Sequence, residues 1–150
     1  MRIHKIKDIF DWTRTFHDKL ADEYTRLAQG HDRDRVGMLL NYLAEHERAL
    51  SEAVKHYEED AIHSELEIAY DPDLELPVDL EGLSRELDKV DTAGVLNLAL
   101  QFHDMLVRVY QALAEKAPNP EIKGLFEDIV RHEIREKLRT ARDAGRLEDI

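Results

Sequence analysis

A chain of 150 residues is long enough for one domain with a real core and too short for two ordinary ones, so residues 1–150 read as a single domain. With 43% apolar and 36% charged residues, and only 6 Gly and 4 Pro, the composition excludes a disordered chain and a turn-rich β-sandwich and matches long amphipathic helices. A formal charge of -12 argues against nucleic acid and anionic membranes as partners, and the absence of Cys leaves only His and carboxylates to hold any metal. No apolar run is long enough to span a bilayer, and the opening MRIHKIKDIFDWTRTF breaks its hydrophobics with charges, so a soluble cytoplasmic protein is expected.

From Ile6 to Ala28 the apolar residues Ile9, Phe10, Phe16, Leu20, Ala21, Tyr24 and Leu27 recur at helical spacing, and Gly30 is the expected stop. A second helix carries Val36, Leu39, Leu40, Leu43, Ala44, Leu50 and Val54, with Asp32 as its expected cap; the short link makes the pair an antiparallel hairpin over about 5–60. The period is then lost. Residues 64–84 hold seven acids and no base, with Leu and Ile alternating between them, which predicts an extended crossover over about 61–90 that packs one edge on the helices or forms a short strand. A short helix is expected over 81–89. Asp91 or Thr92 then caps a long helix through GVLNLALQFHDMLVRVYQALAEK. APNP stops that helix, and Asn119, Pro120 and Glu121 start the last one, which is expected to end near Ala144, before Gly145. Two hairpins, about 5–60 and 91–144, joined by a crossover predict an all-α four-helix bundle of the ferritin-like kind.

The hairpins are related by an internal repeat at an offset of 86 residues. FHDKLADEYTRLA, from Phe16, and FHDMLVRVYQALA, from Phe102, agree at seven of 13 positions, and His46-Glu47 falls on His132-Glu133 at the same offset. At 100° per residue, His17 lies among Phe10, Leu20, Ala21 and Tyr24, and His103 among Leu96, Ala99, Leu100, Leu106 and Tyr110. Glu47 lies among Leu40, Leu43, Ala44 and Leu50, and Glu133 among Phe126, Ile129 and Val130. Glu136 borders that last face, and its counterpart in the first copy is Leu50. Buried carboxylates must neutralise, pair or bind a cation. Two outcomes follow: His17 pairs with Glu47 and His103 with Glu133 inside a metal-free interaction or scaffold module, or His17, Glu47, His103, Glu133 and Glu136 cage one or two divalent cations.

The run from Val95 through FHDMLVRVYQALAEKAPNPEIKGLFEDIVRHEIREKL resembles the final hairpin of the rubrerythrin and ferritin-like superfamily, and Phe16 to Leu50 resembles the first hairpin more loosely. The resemblance implies iron, or a similar ion such as manganese or zinc, and redox chemistry with dioxygen or peroxide. The chain departs from the family pattern: His17 and His103 stand where that family usually has Glu, and Leu50 and Glu136 where it has His. Tyr24 and Tyr110 match the family's tyrosines that hydrogen-bond across the site. The other repeated polar residues, Asp18, Asp104, His46 and His132, are candidates to support the ligand imidazoles. His103, His132 and Glu136 also have a hemerythrin-like spacing, in the second copy alone. Leu98, Met105 and Val109, with Trp12 and Tyr42, lie off the arcs of the inward-facing residues and predict an exposed apolar stripe that pairs copies of the chain into a homodimer or higher oligomer.

Overall fold

The computed structural model describes residues 5–30, 34–61, 66–67 and 82–149. They form α1 (Ile6–Ala28), α2 (Arg35–Asp60), a short α3 (Leu83–Asp88), α4 (Thr92–Glu115) and α5 (Pro120–Asp149), so the protein is all-α among the described residues. No helix among them is long and apolar enough to cross a membrane. The predicted strand falls outside the described residues.

The helix starts are fixed by side chains that satisfy first-turn N–H groups. Asp34 accepts from Gly37 N, Asp91 from Gly94 N and Asn119 from Ile122 N, each at 2.9 Å. The cap of α2 is therefore Asp34; the expected Asp32 lies outside the described residues. α1 ends at Ala28, just before Gly30 as expected, although Gln29 closes it in a right-handed conformation and Gly30 does not take a left-handed one. The expected stop of the last helix is corrected. The last helix runs through Gly145 to Asp149, because one glycine costs a helix about 1 kcal/mol, too little to end it.

Contacts along the helices give their directions. Arg14–Glu58 and Thr25–Arg48 make α1 and α2 antiparallel. Asp104–Lys137 and the short turn before Pro120 do the same for α4 and α5. Between hairpins, Thr13–Tyr110 and Phe16–Phe102 join α1 to α4, while Tyr42–Asp143 and Tyr57–His132 join α2 to α5. α2 and α4 therefore run in the same direction. Glu67 pairs with Lys5 at the start of α1, whereas Ser84 and Asp88 bind Glu23 and Arg26 near its end, about 30 Å away at 1.5 Å per residue.

The core is an axial stack of large apolar side chains, with Phe10, Phe16, Tyr24, Tyr110 and Phe126 fully buried. Trp12, Met105 and Val109 are buried as well, and Leu98 and Tyr42 half-buried, so the predicted exposed stripe is absorbed within the chain. The reason is geometric: each helix touches two neighbours, and Trp12, off the central arc, stacks on Phe16 with ring centroids 5.4 Å apart. The large apolar side chains that stay exposed among the described residues are Met38, Val90, Ile134 and Leu138.

Candidate metal centre

Each long helix delivers one ionisable side chain to the middle of this core: His17 from α1, Glu47 from α2, His103 from α4 and Glu133 from α5, none more than 2% exposed. They close into a ring. His17 Nδ1 lies 2.5 Å from Glu47 Oε2, and its Nε2 lies 3.1 Å from Glu133 Oε1. His103 Nδ1 lies 3.2 Å from Glu133 Oε2, and its Nε2 lies 3.4 Å from Glu47 Oε1. Every imidazole thus faces both carboxylates, and every carboxylate offers one oxygen to each imidazole. The pattern is two-fold in its atoms: Nδ1 meets Oε2 within a hairpin and Nε2 meets Oε1 between hairpins.

The electrostatics follow from this closure. Burial by itself pushes the His17 and His103 imidazoles toward the neutral form, but Glu47 and Glu133 outweigh it and raise them to about 9 and about 10. Burial likewise opposes ionisation of the carboxylates, and the two imidazoles outweigh it, holding Glu47 well below the usual carboxylate range and Glu133 at about 2. At neutral pH two imidazoliums face two carboxylates and the quartet carries no net charge, which is what permits ions at this depth.

The remaining sequence candidates are placed as follows. Glu136 does not join the quartet; it is half-buried, with Oε2 3.5 Å from His46 Nδ1 and Oε1 3.6 Å from Arg139. His46 lies against the quartet. Its ring meets that of His103 edge to face at 5.4 Å, stacks on Tyr42 at 6.2 Å, and places Nε2 2.7 Å from Thr140 Oγ1. His132 packs instead on Tyr57, so the hemerythrin-like trio of His103, His132 and Glu136 is not assembled. Asp18 is exposed, and Asp104 pairs with Lys137 rather than with an imidazole. Tyr110 donates to Thr13 Oγ1 at 2.5 Å rather than across the quartet, and the buried Tyr24 hydroxyl has no hydrogen-bond partner among the described residues. Burial and the adjacent carboxylates raise both phenols, Glu47 acting on Tyr24 and Glu133 on Tyr110.

Sequence reasoning passed over Thr13 and Thr140. Their counterparts at the repeat offset are Ala99 and Val54, so the repeat gave no signal, and a hydroxyl on a helix is by itself weakly informative.

Two imidazoles and two carboxylates are side chains of the kinds that ligate divalent iron, manganese or zinc, and His103 Nε2 is the most loosely held of them, 3.4 Å from Glu47. Among the described residues no three His, Asp or Glu side chains converge as a preformed ligand cage. The quartet is closed on itself, so a cation must replace the shared protons rather than enter a ready cavity. No protein-family model, curated protein or solved structure matches the chain.

Proposed function

We propose that this chain is a ferritin-like metal-binding bundle that takes one divalent cation into its core at His17, Glu47, His103 and Glu133. The observation that carries this reading is the closed ring with one ionisable side chain from each long helix. As structure alone the quartet is a poor investment, because well-packed apolar residues in such a place stabilise a fold equally well or better. As a donor set it is balanced. Exchanging two imidazolium protons for one divalent ion leaves the net charge of the buried site at zero, whereas two such ions would leave it at plus two with no third carboxylate in the ring. Stoichiometry of one is therefore favoured over two, and Glu136 belongs to the surroundings. When bound, iron or manganese supplies redox chemistry toward dioxygen or peroxide, and zinc supplies Lewis acidity. The bundle's part is to orient the imidazoles from rigid helices and exclude bulk water from the donors. The helix directions, with Glu67 and Ser84 held near opposite ends of α1, support the ferritin-like assignment.

A second reading rests on the pairing distances of 2.5–3.4 Å, which already satisfy a metal-free core. On that reading the bundle is an interaction or scaffold module. Metal analysis of protein purified without chelator, beside the His17→Ala/His103→Ala variant, decides between them. The proposal requires one equivalent of iron, manganese or zinc, absent from the variant, with about two protons released per ion on anaerobic titration near neutral pH. A metal-free wild type that takes up no ion would overturn it in favour of the module.

A further inference from the structure

The quartet is walled by residues without access to solvent on most sides. Phe16, packed against His17, and Tyr24 and Tyr110, beside the two carboxylates, are all 0% exposed. His46 breaks this wall. It touches His103 on one side, and with Tyr42, Glu45, Arg139, Arg142 and Asp143 it lines a surface pocket of about 530 Å³ on the other. We propose that this pocket is the port through which the cation reaches the quartet, and that His46 is the side chain that opens and closes it. The inference rests on the metal-binding reading above.

The geometry suits a gate. The ring of His46 is 9% exposed and is held by a contact of 2.7 Å to Thr140 Oγ1, a longer one of 3.5 Å to Glu136, and the stack on Tyr42. Rotating it outward breaks the hydrogen bond to Thr140, the looser contact with Glu136 and the ring contacts with Tyr42 and His103. Behind it lies His103, whose Nε2 meets Glu47 at 3.4 Å, the longest contact of the ring, and must give up its proton before it can bind an incoming ion. The charges at the mouth admit a cation. Arg139 and Arg142 share the pocket with Glu45 and Asp143, and Glu136, which meets both Arg139 and His46, adds a further carboxylate, so the mouth raises no positive barrier.

A port alters rates in both directions and leaves affinity alone, whereas a ligand alters affinity. Stopped-flow uptake of Co²⁺, followed by its visible absorption, and release of the ion to excess chelator should be measured on the full chain, wild type beside His46→Phe, Thr140→Val and Tyr42→Ala. His46→Phe, which plugs the opening, is expected to slow both uptake and release roughly tenfold. Thr140→Val and Tyr42→Ala, which unlatch and widen it, are expected to speed both by about fivefold, at unchanged stoichiometry. Unchanged rates in folded Tyr42→Ala or Thr140→Val would overturn the port even if His46→Phe failed to fold. A change confined to release would overturn it too, by making His46 a ligand. Wild type that takes up no Co²⁺ would instead overturn the metal-binding reading, and the port with it.

Discussion

His17 Nε2 stands 3.1 Å from Glu133 Oε1 across the boundary between the hairpins, while Nδ1 of the same ring stands 2.5 Å from Glu47 within its own hairpin. One imidazole thus ties α1 to both α2 and α5, and neither tie can be broken without stranding a charge. In metal-free protein Glu133→Leu leaves two buried imidazoles against a single carboxylate and is expected to cost about 3–5 kcal/mol. Replacing all four members with apolar residues of similar volume removes every buried charge together and is expected to be near neutral or stabilising. Urea unfolding in chelator checks both; a quadruple variant less stable than Glu133→Leu would contradict the account.

The hydrogen bond from Tyr110 to Thr13 has no equivalent in the other half of the bundle, although the tyrosine does. Shifting Thr13 by the repeat offset gives Ala99, which offers no hydroxyl, and the Tyr24 hydroxyl is correspondingly buried without a partner among the described residues. Tyr110→Phe is therefore expected to destabilise, by about 1 kcal/mol. Tyr24→Phe removes an unsatisfied group and should be neutral or stabilising. Equal losses in the two variants by chemical denaturation would show that Tyr24 bonds in solution to something this arrangement lacks.

The quartet was legible in the sequence because a repeat and a helical period converge on it: identical polar residues at positions where both copies turn inward are conspicuous. Glu136 was misplaced because a helical wheel gives direction but not distance. It borders the face of Glu133, yet lies nearly a turn further along α5, at the level of His46. A single arc treats each helix as having one neighbour, and here each has two, so the arc alone puts the buried Trp12, Met105 and Val109 on an exposed stripe. The cap of α2 slipped from Asp32 to Asp34 because both are followed by plausible first turns, and only the hydrogen bond to Gly37 distinguishes them.

The pH dependence of metal-free stability follows from the directions of the shifts. The imidazoles are raised from 6.5 to about 9 and about 10, so their contribution is complete below about pH 6.5 and is lost as pH rises through 9 to 10. The carboxylates are lowered from 4.5, Glu133 to about 2, so theirs is complete above pH 4.5 and is lost as pH falls toward 2. Stability in chelator is expected to peak between about pH 4.5 and 6.5 and to decline on both sides. Thermal unfolding across that range, with the apolar quadruple variant as reference, measures it; a variant with the same profile would place the titration elsewhere.

Glycines within the helices separate backbone propensity from local packing. A Cβ added at Gly124 or Gly145 of α5 meets nothing within 4 Å, so Gly124→Ala and Gly145→Ala should each stabilise by about 0.5–1 kcal/mol through the loss of unfolded-state freedom. At Gly94, in the first turn of α4, the same atom would stand 2.6 Å from Val90 Cβ and 3.3 Å from Asp91 Oδ1, the oxygen that caps the helix. Val90 Cβ is fixed to the backbone and cannot swing aside, so relief must come from moving the chain around the cap. Gly94→Ala is therefore expected to destabilise in spite of alanine's higher helix propensity, by up to the roughly 1 kcal/mol that a capping bond contributes. Val90→Gly made alongside it should restore part of the loss, since it removes the clashing atom and leaves Asp91 in place. If Gly94→Ala stabilises as the α5 substitutions do, the start of α4 is looser than this contact requires.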